Sequence, residues 1–64
     1  MFVVKKGTIK TGILKGEKYK IKELNEKEQK EHNNYKFVVT QGEYDDIDFE
    51  TETLEEALDF VMSY

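Results

Sequence analysis

The stretch Thr53-Leu54-Glu55-Glu56-Ala57-Leu58-Asp59-Phe60-Val61-Met62-Ser63-Tyr64 decides the architecture, because it reads as a helix on three separate grounds. Leu54, Ala57, Leu58, Val61 and Met62 recur at i, i+3, i+4, i+7 and i+8, one apolar stripe at the helical period, while Glu55, Glu56, Asp59 and Ser63 fall off it. Thr53 followed by Glu56 has the form of a capping box. Glu55 and Glu56 stand in the first turn, where the helix dipole favours negative charge. A helix this short is marginal in water, so its stripe must lie on another layer. The preceding residues have to supply a sheet.

Immediately upstream, residues 46–52 alternate Ile47, Phe49 and Thr51 inward with Asp46, Asp48, Glu50 and Glu52 outward, a strand with a carboxylate row. Residues 35–39 alternate Tyr35, Phe37 and Val39 with Lys36 and Val38, and the valine on the second face marks this strand as central. A three-residue loop at Thr40-Gln41-Gly42 would pair Val39 with Glu43, Phe37 with Asp45 and Tyr35 with Ile47; a longer loop through Tyr44 is the alternative. Residues 23–34 are the most polar of the chain and read as a mobile loop, with a short helical turn at 26–31, capped by Asn25 and Glu28, as the option.

Residues 18–22 place Tyr19 and Ile21 on one side and Lys18, Lys20 and Lys22 on the other. Residues 2–14 are strand material broken by Gly7 and Gly12, with Ile9, Thr11 and Ile13 inward and a bulge or tight turn at Lys6-Gly7. A loop at Leu14-Lys15-Gly16 would pair Ile13 with Glu17, Thr11 with Tyr19 and Ile9 with Ile21. The expectation is one α+β domain over residues 1–64, a four-stranded antiparallel β-meander with one C-terminal helix packed on one face, in the order β-β-β-β-α.

Composition restricts the chemistry. With no cysteine, neither a disulfide framework nor a thiolate metal site can form. No apolar run is long enough for a signal sequence or a membrane span, which points to a soluble cytoplasmic protein. All basic residues are lysine, and Lys, Glu, Asn, Ile and Tyr are plentiful, a composition in keeping with an AT-rich genome, a phage or another mobile element. The net charge of −4 is the sum of two unlike halves: residues 1–36 carry ten Lys and five Glu (+5), and residues 37–64 carry nine acids and no Lys (−9).

That asymmetry yields two candidate surfaces. Asp46, Asp48, Glu50 and Glu52 on the strand, continued by Glu55 and Glu56 on the helix, form an acidic face suited to a basic protein partner. Spaced about 6.6–6.8 Å apart along a strand, such carboxylates also approximate the phosphate spacing of a nucleic acid. A solvated edge that resists aggregation would carry the same row. Lys10, Lys18, Lys20, Lys22 and Lys36 form the second face, suited to a phosphate backbone, although Tyr19 and Tyr35 fall on the opposite side and there is no arginine for bidentate base contacts.

Metal binding is not expected: the acidic row lacks the glycine and spacing of an EF-hand loop, and carboxylates on a flat strand diverge. His32, the sole histidine, stands in the polar segment with no nucleophile or carboxylate set around it, so neither catalysis nor a cofactor is expected. The junction Thr53-Leu54-Glu55-Glu56-Ala57-Leu58 after a strand resembles the strand-to-helix turn of HicB-type antitoxins, over those residues alone, and no role is carried across. The expected function is a small non-enzymatic binding or regulatory module that docks a basic protein on its acidic face. Nucleic-acid binding through the lysines, and a homodimer or larger assembly joined at a sheet edge, are the alternatives.

Overall fold

The structure, a computed structural model, describes residues 1–10, 12, 15–42 and 47–63, with the backbone alone for Asp48 and Ser63. Its elements are β1 (Phe2–Thr8), β2 (Lys18–Glu23), α1 (Glu26–Glu31), β3 (Phe37–Gln41), β4 (Ile47–Thr51) and α2 (Leu54–Ser63). The strands form one antiparallel sheet in the order β1-β2-β3-β4, with α2 packed on β2, β3 and β4. The α+β meander with a C-terminal helix is therefore the fold, and β3 is a central strand. No helix among the described residues is long and apolar enough to cross a membrane.

The core lies between α2 and one face of the sheet. Ile9, Ile21 and Val39 meet Ala57 and Val61 there, with Tyr19, Phe37, Leu58 and Phe60 packed around them. At roughly 100° per residue, Ala57 and Val61 lie at the centre of the buried face, and Leu58 and Phe60 flank it on either side. Met62 falls beyond that arc and is 72% exposed, so the expected stripe is rotated: Phe60 belongs to it and Met62 does not.

Both hairpin registers differ from those the loops predict. Tyr19 pairs with Gly7 and Ile21 with Lys5, so β1 ends at Thr8, before the residues expected to pair. Ile9 still points into the core, but it closes the loop: its N–H donates to the Glu17 carbonyl at 2.8 Å, and its carbonyl accepts from Gly16 at 2.8 Å. The irregularity in β1 lies between Val3 and Lys5, not at Gly7. In the second hairpin Phe37 pairs with Thr51 and Val39 with Phe49, which requires the longer loop. The expected partners Glu43 and Asp45 lie outside the described residues. Gly16 and Gly42 do adopt the left-handed backbone that turns require, at φ +94° and +84°.

Residues 23–34 are organised rather than a bare loop. Asn25 caps α1 with a reciprocal box, its Oδ1 accepting from Glu28 N–H at 2.8 Å while the Glu28 carboxylate accepts from Asn25 N–H at 3.1 Å. The box supplies what the absent apolar stripe cannot. The helix is then tied down by polar contacts: Gln29 Nε2 donates to the Leu24 carbonyl at 3.0 Å, and the Met1 ammonium lies 2.6 Å from Glu28. His32 at the end of α1 reaches Glu50 on β4. Glu50 pairs directly with Val38, which is fully buried on the face away from α2, and it is on that face that His32 reaches Glu50.

Candidate functional site

One member of the carboxylate row has a partner within the chain. Glu50 turns to the α1 side, where its Oε2 lies 3.0 Å from His32 Nδ1, and both side chains are about one-quarter exposed (26% and 28%). It serves the fold as much as any partner. Asp46 lies outside the described residues, as does the side chain of Asp48. Glu52, Glu55 and Glu56 are exposed where β4 turns into α2, and Asp59 continues them one helical turn on.

Glu56 is held in place by Thr53. The threonine Oγ1 accepts from the Glu56 N–H at 3.2 Å, and its hydroxyl donates to the Glu56 carboxylate at 3.1 Å. Thr51 in turn donates to the Thr53 carbonyl at 2.9 Å, which fixes the strand-to-helix corner. Glu56 therefore stands on a hydrogen-bonded corner.

Beside them is a feature that alternation alone hid. Phe49 stacks on Phe60 with ring centroids 4.3 Å apart and planes 2° from parallel. Phe49 was expected to point inward, and it does face α2, but β4 is an edge strand and the ring is 42% exposed. A depression of about 290 Å³ is lined by Phe49, Glu56, Asp59 and Phe60. Another, of about 320 Å³, lies on the α1 side of the same strand between Tyr35, Ile47, Phe49 and Glu50. Ile47, expected inward, is exposed because a register shift sets it opposite Thr40 on the face away from α2. The signal that would have found this site is a large aromatic on each of two elements, one of them the last strand of a meander and therefore an edge.

The lysines separate into two groups. Lys18, Lys20 and Lys22 share the face away from α2, where Lys6 pairs with Lys20. Lys10 departs from them: with Lys5 it borders a groove of about 410 Å³ between β1 and the last turn of α2, floored by Ile9, Tyr19 and Leu58. Lys36 precedes β3, its N–H donating to the Thr51 carbonyl at 3.0 Å. Lys10 thus stands apart from the face that Lys18, Lys20 and Lys22 share.

The Glu28 carboxyl lies below the ordinary value of 4.5, first through its bond to the chain's amino terminus and then through the Asn25 N–H. No group of three or more His, Asp or Glu gathers at metal-binding distance among the described residues. No protein-family model matches the chain, and neither a curated protein nor a solved structure matches it.

Proposed function

We propose that the chain is a small non-enzymatic binding module that docks a basic protein on the rim where β4 meets α2. The observation that carries this reading is the half-exposed Phe49–Phe60 stack, set at an open sheet edge among Glu52, Glu56 and Asp59. An apolar centre with a charged border has the composition of an interface, with the aromatics supplying desolvated contact and the carboxylates orienting a positive partner. No lysine in residues 37–64 offsets that field. An accessory role against a host protein is in keeping with the arginine-free composition.

The test is retention of proteins on the immobilised chain, compared with a variant in which Glu52, Glu55 and Glu56 become Gln and Asp59 becomes Asn. Glutamine at position 56 preserves the capping geometry, so folding is retained. A basic protein held by the wild type, released by salt and lost by the variant supports the reading. Equal retention by both overturns it. Material held only in the absence of nuclease moves the assignment to Lys6, Lys18 and Lys20, which are exposed together on one face.

A further inference from the structure

We propose that the β4 edge of one molecule receives the β1 edge of a second copy, so that the sheet continues from molecule to molecule. This deepens the reading above, resting on the same acidic rim and naming the basic strand that fits it. Both strands are sheet edges. Both expose apolar side chains, Phe2, Val3 and Val4 on β1 and Ile47 and Phe49 on β4. Their charges are opposite: β1 carries Lys5 and Lys6, and β4 carries Glu50 with Glu52 directly after it. Two β1 edges would set lysine against lysine, and two β4 edges carboxylate against carboxylate, so the unlike pairing is the attractive one.

Strand direction and side-chain parity agree with that pairing. A sheet of four successive antiparallel strands has β1 and β4 running in opposite senses. A copy displaced along the sheet therefore presents β1 antiparallel to β4, with α2 on the same side. Lys5 pairs with Ile21 and so faces the α2 side, where Phe49, Glu56 and Asp59 lie. Lys6 pairs with Lys20 and faces the other side, as Glu50 does. Each lysine thus meets carboxylates on its own face of the junction. The register shifts at Val3/Lys5 and at Val39/Thr40 shorten the regular stretch of both edges, which makes the contact weak and dependent on concentration. Because the two surfaces differ, the assembly is head-to-tail and open-ended.

The chain has no cysteine of its own, so single cysteines report the contact cleanly. With Lys5 and Lys6 beside Glu50 and its neighbours, antiparallel pairing sets the exposed Thr8 next to Ile47, so Thr8→Cys and Ile47→Cys proteins are each treated with a short bis-maleimide, alone and mixed, and the wild type is sedimented over a concentration series at low and high salt. The expected result is a cross-linked dimer that dominates only in the mixture, with a wild-type mass that rises with concentration at low salt and falls back at high salt. A Lys5→Glu/Lys6→Glu protein should lose that rise. Cross-linking of either variant with itself, or a wild type that stays monomeric throughout, overturns the inference. If the monomeric wild type still retains a basic protein that the rim variant loses, the rim reading survives and only the second copy is excluded.

Discussion

Phe49 of β4 and Phe60 of α2 lie ring on ring, 4.3 Å apart, and so join the edge strand to the helix through a contact that solvent reaches. Since both rings are only partly buried, Phe49→Ala and Phe60→Ala should each cost about 1–2 kcal/mol, below the cost of a fully buried aromatic. A double-mutant cycle should return a coupling of about 0.5–1.5 kcal/mol. Urea denaturation of the four proteins measures it, and additive losses would mean the stack contributes area alone.

His32 and Glu50 tie α1 to β4 at 3.0 Å, yet the pair is partly solvated. His32→Ala should therefore cost less than about 1 kcal/mol in global stability. Its larger effect should be local, as faster amide exchange in α1 and at Val38, the residue beneath the tether. Unchanged protection at both places would show that α1 is held by its other contacts.

Glu28 contributes to the acid sensitivity of the fold. Its folded pKa is depressed, so the stability it adds is present above the ordinary value of 4.5 and is lost as pH falls through the lower folded value. Glu28→Gln keeps the capping geometry but carries no charge. Its melting temperature should lie below the wild type's near neutral pH and converge with it in acid, and parallel curves would refute the assignment.

Gly7 makes room for Tyr19. A Cβ at position 7 would lie 2.9 Å from the tyrosine Cε1 and Oη, although nothing unusual is required of the glycine's backbone. Gly7→Ala should destabilise by about 1 kcal/mol or more through overpacking, despite the better strand propensity of alanine. In a Tyr19→Ala background the same change should be neutral or stabilising. Equal costs in both backgrounds, measured by denaturant midpoints, would exclude the steric explanation.

The rotation of α2 makes opposite forecasts for two of its residues. Met62→Lys should alter stability by no more than about 0.5 kcal/mol, because the side chain is largely in water. Ala57→Leu should cost about 1–3 kcal/mol, since its site is fully enclosed between the helix and the sheet.

The parts of the fold carried by local periodicity were legible, and those set by distant contacts were not. Ala57 and Val61 announce the buried helical face, but the template that begins at Leu54 extends to Met62 and omits Phe60, whose place depends on having Phe49 to stack against. Gly16 and Gly42 were recognisable as left-handed turn positions. A glycine does not say how many residues precede it in the loop, and both registers slipped for that reason. Val38 signalled a second covered face and is fully buried there, whereas the ordering of residues 25–32 through hydrogen bonds of Asn25, Gln29 and His32 had no apolar stripe to announce it. The acidic surface was visible as composition. That His32 would meet Glu50 there was not, because their contact spans eighteen positions.

The placement of β1 sets an order in which the molecule opens. β2, β3 and β4 all lie under α2, whereas β1 is joined to the sheet through β2 alone. Its base is fastened where Ile9 enters the core and bonds Glu17 and Gly16, while at its other end Phe2, Val3 and Val4 are exposed beside a register shift and the adjoining Met1 ammonium bonds Glu28 at the surface. Amide protons along β1 should thus form a gradient of exchange, fastest near Phe2 and slowest near Ile9, while the strands beneath α2 exchange only with global unfolding. The first cooperative loss should then be the peeling of that one strand, with the helix-bearing three-stranded remainder left intact.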